Sequence, residues 1–208
     1  MKTVLKLSLL SITIILISCA VQRVEVPVFE GIDFKEVLNS KKDISVINTI
    51  FSITFAKDDT EMKGEGVLNI SRNGNLNLRV YSLGFLALEI LSENGFIKSN
   101  LRIDKNKSRI LTEGLRDCFF WWDIDDYTVN EGEDMVFLKN LTREIWLDRK
   151  TMLPVKQVIL LEDGRELIIN YADNEKLDGV WYPSCMRIEL LKYSVRLKVK
   201  DISFNGSI

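Results

Sequence analysis

Asx-Gly dipeptides recur along this chain at Asn73-Gly74, Asn94-Gly95, Asp163-Gly164 and Asp178-Gly179, each between runs of strand-like residues. Asn-Gly and Asp-Gly accept the positive φ angles of tight hairpin turns, whose twist matches that of the flanking strands. A chain punctuated in this way is constrained to pair neighbouring strands antiparallel. The runs themselves agree. Thr49, Phe51, Ile53 and Phe55 alternate with Ile50, Ser52 and Thr54, and Gly64, Gly66, Leu68 and Ile70 alternate with Val67 and Asn69. Leu76, Leu78 and Val80 continue the period of two, as do Leu86, Leu88 and Ile90. Further strand-like runs cover 96–103, 127–130, 135–139, 142–148, 155–161, 166–171, 182–191 and 195–204.

Two segments depart from this pattern. Residues 32–38 fit a short opening helix with Asp33 as its N-cap. Between Ser108 and Ile124, Leu111, Leu115, Cys118, Phe119 and Trp122 fall at helical spacing on one wide apolar face, weakened at Gly114. The fold class expected is therefore mainly β with minor α. About ten or eleven antiparallel strands form an incomplete barrel, with helices covering an apolar cavity. The apolar inner residues are compatible with a filled core as well as with a groove for acyl chains.

The stretch Asn75–Ser92 breaks a local rule. A hairpin tip lies in water and normally carries polar residues beside its glycine. Here Gly84 is flanked by Leu83 and Phe85. Such conflicts between local and global preference concentrate at functional sites, so Leu83, Gly84 and Phe85 are the candidate site residues. Folding of Leu83 and Phe85 back into the core is the competing expectation.

The N-terminus reads as a secretion signal. A basic start at Lys2 and Lys6 is followed by an apolar core from Leu7 to Ile17, too short to span a bilayer, which takes about 20 residues. Leu16-Ile17-Ser18-Cys19 resembles the bacterial lipobox, which implies cleavage of residues 1–18 and acylation of Cys19 by diacylglycerol and a further fatty acid such as palmitate. Residues 19–30 then form an acylated tether and 31–208 the folded domain. Ala20, rather than Asp, after the cysteine implies outer-membrane sorting.

Histidine is absent, and the 28 basic and 30 acidic residues nearly cancel. The commonest general base and metal ligand is thus missing, and no electrostatic case exists for nucleic acid. The acidic cluster of Asp123, Asp125, Asp126, Glu131, Glu133 and Asp134 lacks the calcium-loop pattern and reads as a solvated turn. Phe119-Phe120-Trp121-Trp122 reads as core, with a ligand-stacking platform as the alternative. A bridge between Cys118 and Cys185 is left open. No phosphate loop, nucleophile elbow or metal spacing occurs, so neither an enzyme nor a cofactor is expected.

The lipobox, the histidine-free β domain and the run Leu78-Arg79-Val80-Tyr81-Ser82-Leu83-Gly84-Phe85-Leu86-Ala87-Leu88-Glu89-Ile90 together resemble the outer-membrane lipoprotein receptor LolB. The hairpin Glu162–Arg165 leading to Tyr171, Tyr182-Pro183, and Val195–Asp201 are similar to that family's later strands. The resemblance implies an unclosed barrel, a helical lid and a cavity for lipoprotein acyl chains. It also implies a periplasmic carrier as partner, membrane contact through the N-terminal lipid, and a monomer. Leu83 matches the family's projecting leucine, although Ser82 stands where proline often precedes it. No arginine is matched to the related carrier's gating arginine. The function implied is a lipid-anchored receptor that inserts lipoproteins into the outer membrane. The alternative is a lipoprotein of the same fold that binds lipid or a partner for envelope sensing or structure.

Overall fold

The computed structural model describes residues 33–206. Cys19 and the signal and tether read from the sequence lie outside the described residues. Helix α1 (Phe34–Ser40) opens the fold, with the Asp33 carboxylate accepting from the Lys35 N–H as its N-cap. Five strands follow: β1 (Ile44–Lys57), β2 (Thr60–Ser71), β3 (Leu76–Ser82), β4 (Phe85–Glu93) and β5 (Phe96–Ser99). A helical segment interrupts the β pattern. It comprises α2 (Lys105–Arg109), a π-helical turn (Ile110–Gly114) and α3 (Leu115–Phe119). Seven strands complete the chain: β6 (Thr128–Glu131), β7 (Met135–Lys139), β8 (Arg143–Asp148), β9 (Pro154–Leu160), β10 (Glu166–Leu177), β11 (Val180–Leu190) and β12 (Tyr193–Gly206).

The twelve strands form one antiparallel sheet in the order β5-β4-β3-β2-β1-β12-β11-β10-β9-β8-β7-β6. Every neighbour is consecutive in sequence except β1 and β12, which pair from Ile44↔Gly206 to Lys57↔Tyr193. That long-range seam joins the two meanders, and β5 and β6 remain as free edges. The count exceeds the ten or eleven strands expected, and β5 and β6 are four-residue edge strands. The hairpin of β10 and β11 also runs further than the sequence indicates. Asn174, Glu175 and Lys176 pair with Pro183, Tyr182 and Trp181. These polar residues carry no apolar alternation, so periodicity ended the strand at Tyr171.

The helical segment sits inside the curve of the sheet. Phe119 meets Phe51 of β1, with ring centroids 6.4 Å apart. Leu111 lines a groove with Val80 and Leu88 of β3 and β4. The backbone near α3 reaches Arg143 of β8 and Gln157 of β9. From β4 to β8 is nine strands, roughly 38 Å if laid flat at strand spacing, whereas a helix is about 10–12 Å across. One helix touches strands that far apart only if the sheet wraps around it. The architecture is an incomplete barrel with a helical filling.

Gly114 allows that filling to seat. A Cβ there would stand 3.1 Å from Ile188 Cγ2 and 3.4 Å from Leu167 Cδ1, so the backbone lies almost against β10 and β11. Gly114→Ala requires shifts of only tenths of an ångström and gains helix propensity, about 1 kcal/mol. It is expected to be close to neutral. Gly114→Val forces branched methyls into Ile188 and Leu167 and is expected to cost about 1–3 kcal/mol. Thermal unfolding checks this, at about 2–4 °C per kcal/mol for a chain of this size.

Candidate functional site

Strands β3 and β4 are closed by a two-residue turn, with Ser82 paired to Phe85. Leu83 has φ 51° and Gly84 φ 81°, the pair of left-handed conformations that a type I′ hairpin requires. Glycine adopts this without cost, whereas leucine loses about 1–2 kcal/mol. Folding gives Leu83 no compensation, because the residue is 95% exposed, and Phe85 is 78% exposed. The expectation that the two fold back into the core is not met. Ser82 Oγ donates to the Lys63 carbonyl at 3.1 Å and ties the turn to β2. A bulge between Val80 and Tyr81 interrupts the alternation, so Leu86, expected inside with Leu88 and Ile90, is 45% exposed. On the neighbouring β11–β12 turn, Leu191 is also exposed at positive φ. That turn is joined to the β1–β2 turn by Lys192–Asp58 at 3.5 Å.

Behind this lip lies an apolar groove. Its walls are Ile53 and Phe55 of β1, Met62 of β2, Val80 of β3 and Leu88 of β4, and Leu111 of the helical segment closes it. Lys107 stands at the mouth, its Nζ 4.6 Å from the Phe55 ring centroid. The free space is about 10 Å³, room for about one water molecule at most and none for an acyl chain. The groove is closed to an acyl chain as it stands, and the helical segment, through Lys107 and Leu111, supplies the walls that do not belong to the sheet.

That segment is latched at both ends. At its start the Asp104 carboxylate accepts from the Asn106 and Lys107 N–H groups and from the Tyr193 hydroxyl at 2.9 Å. Arg109 reaches Asp163 at 3.2 Å, and Arg165 donates to Asn106. Burial alone would raise the Asp104 carboxyl, but the backbone and Tyr193 hydrogen bonds hold it below its ordinary value. The Arg165 hydrogen bond holds the Asp163 carboxyl well below the usual carboxylate range.

At the far end, Arg143 of β8 is only 7% exposed. It donates to the carbonyls of Asp123 (2.6 Å) and Asp117 (3.2 Å) and to Gln157 Oε1 (2.9 Å). Arg116 adds bonds to Asp117, Asp123 and the Arg72 carbonyl. Sequence reading missed this latch, although a signal exists. Arg143 shares the period-two series of Ile145 and Leu147, and all three are buried.

The remaining candidates resolve simply. Phe119, Phe120, Trp121 and Trp122 are buried in the core. Among the described residues the acidic cluster forms no metal-binding group, and Asp123 instead pairs with Arg116. Cys118 and Cys185 are both free. Cys118 faces inward, 3.2 Å from Met186 Sδ, whereas Cys185 precedes Met186 on β11 and so points to the opposite face of the sheet.

No protein-family model and no curated protein matches this chain. Solved structures do. A LolA superfamily protein from Nitrosomonas europaea superposes with a TM-score of 0.55 at 13% identity, over 86% of this chain and 96% of that one. A DUF1329 family protein from Desulfovibrio piger gives 0.55 at 10% identity, over 88% and 95%. The chain has a LolA-like fold. At such identities the likeness concerns the fold alone.

Two measurements check the latches. Arg143→Met leaves buried carbonyls unpaired, at about 1–3 kcal/mol, and is expected to speed amide exchange across Leu115–Phe120 by roughly tenfold or more. At the other end, carboxyls held below their ordinary values stabilise the fold above that range and lose the contribution as pH falls through the lowered values. Exchange protection of Lys105–Arg109, corrected for intrinsic rate, is therefore expected to hold at neutral pH and to drop below about pH 3.8.

Proposed function

We propose that the protein is a lipid-anchored receptor of the bacterial envelope, tethered to the outer membrane through acylated Cys19. It takes acylated proteins from a periplasmic carrier and releases their acyl chains into that membrane. The observation that supports this most is the lip. Leu83 and Phe85 are held out in water, on a turn whose leucine is in left-handed backbone, beside an apolar groove roofed by a latched helix. Structure kept for stability alone would not retain both costs.

Transfer makes and breaks no bond and runs on differences in affinity. Each buried methylene is worth about 0.8 kcal/mol, so an acyl chain cannot cross water unshielded and passes only where groove and bilayer touch. Leu83 and Phe85 would each contribute about 1.5–3 kcal/mol on insertion. That orients the groove mouth against the lipid and leaves anchoring to Cys19. The helical segment then moves off Ile53, Val80 and Leu88 to admit the chain and closes once it has left.

Leu83→Glu tests the reading. The variant is expected to fold and to fractionate with membranes as before, while lipoprotein delivery falls roughly tenfold or more. Normal delivery by this variant defeats the proposal. Correct lipoprotein placement after depletion, with an altered envelope stress response, would instead favour lipid binding for sensing without transfer.

A further inference from the structure

A second cavity lies apart from the groove, between α1 and the far end of the β10–β11 hairpin. It offers about 450 Å³ of space, against apolar walls from Val37, Leu153, Val180 and Trp181. Lys41 lines it and is only 5% exposed. Its Nζ donates to the Trp181 carbonyl at 2.8 Å and stands 5.2 Å from the Trp122 ring centroid and 5.9 Å from that of Trp121. Among the described residues Lys41 has no ion-pair partner: Glu36 and Asp178, on the exposed rim of the cavity, do not reach it.

A buried ammonium without a counter-charge is costly, and cation–π contact and one carbonyl offset only part of that cost. Burial lowers its pKa to about 8, so it remains largely protonated at neutral pH. Further donors lie behind Lys41, in the core rather than on the cavity wall. Trp121 Nε1 and Trp122 Nε1 are buried with no acceptor. Arg72, which fixes the local backbone by donating to the Lys41 and Ile44 carbonyls, also keeps a buried Nε without a partner. The cavity thus combines apolar walls with one buried cation, Lys41, held by a single carbonyl and two indole rings, and its carboxylates Glu36 and Asp178 stay on the exposed rim. That combination suits an anionic headgroup carrying a short apolar part.

We infer that this cavity binds an anionic amphiphile of the phosphate-monoester type, its headgroup on Lys41 and its short apolar part against Val37, Leu153 and Val180. The site does not depend on the lip or groove and is separate from the proposed transfer path. It gives the protein a means of registering anionic lipid or free phosphate at the end of the sheet remote from Leu83.

Trp181 lines the cavity, and Trp121 and Trp122 pack against the Lys41 ammonium from the core, so the test is tryptophan fluorescence of the full chain in neutral maltoside detergent, titrated with hexyl phosphate and with inorganic phosphate. Saturable binding of hexyl phosphate is expected, weakened at least tenfold in Lys41→Met and in Val180→Phe, which fills the cavity and keeps the charge. Leu83→Glu should bind as the parent does, so loss of delivery and loss of this site are told apart. Equal, Lys41-dependent affinity for both probes supports a free-phosphate site; stronger binding of hexyl phosphate supports a lipid headgroup. No saturable binding by the parent, or parental affinity in Lys41→Met, overturns the inference. If Lys41→Met fails to fold, parental affinity in Val180→Phe overturns it equally.

Discussion

The structure depends on burying the apolar inner face of a single curved sheet, and residues 105–119 do most of that work. Ile110, Leu111 and Leu115 are almost wholly buried, and strands from β4 round to β8 close on them. The sheet cannot present these strands to water, and the helical segment is too short to be stable alone. Each therefore requires the other. In the proposed transfer the same segment serves as lid, and lifting it would expose apolar surface that a lipid chain can replace.

That dependence explains why the polar contacts gather at the ends of the lid. Along its length the packing is apolar, and Gly114 sets its register against β10 and β11. Asp104 with Tyr193, and Arg143 with the Asp117 and Asp123 carbonyls, fix where it stops. A π-helical turn between the latches widens the segment where Gly114 approaches β10 and β11, a distortion often found where helices serve function. In the proposed function the closed groove is the resting arrangement.

Much of this was legible beforehand. Asn73-Gly74, Asn94-Gly95, Asp163-Gly164 and Asp178-Gly179 each close a hairpin, because turn chemistry acts within four residues and needs no tertiary context. Leu83 and Phe85 stood out since apolar residues at a turn contradict a local rule. Arg143 and Gln157 escaped notice because their importance lies in carbonyls 20 to 40 positions away. Nothing in the sequence distinguishes Lys41, because Trp121, Trp122 and Trp181 meet it only in the fold.

The sequence by itself determined the antiparallel meander, the single helical interruption and the odd composition of the β3–β4 tip. Those properties follow from period, turn type and residue chemistry at short range. Only the tertiary structure decided that β1 and β12 join the two meanders and that Leu83 and Phe85 face water. It alone showed that Cys118 and Cys185 occupy opposite faces and that the groove is shut. Each of these rests on which distant surfaces meet, and burial is a property of the meeting rather than of the residues.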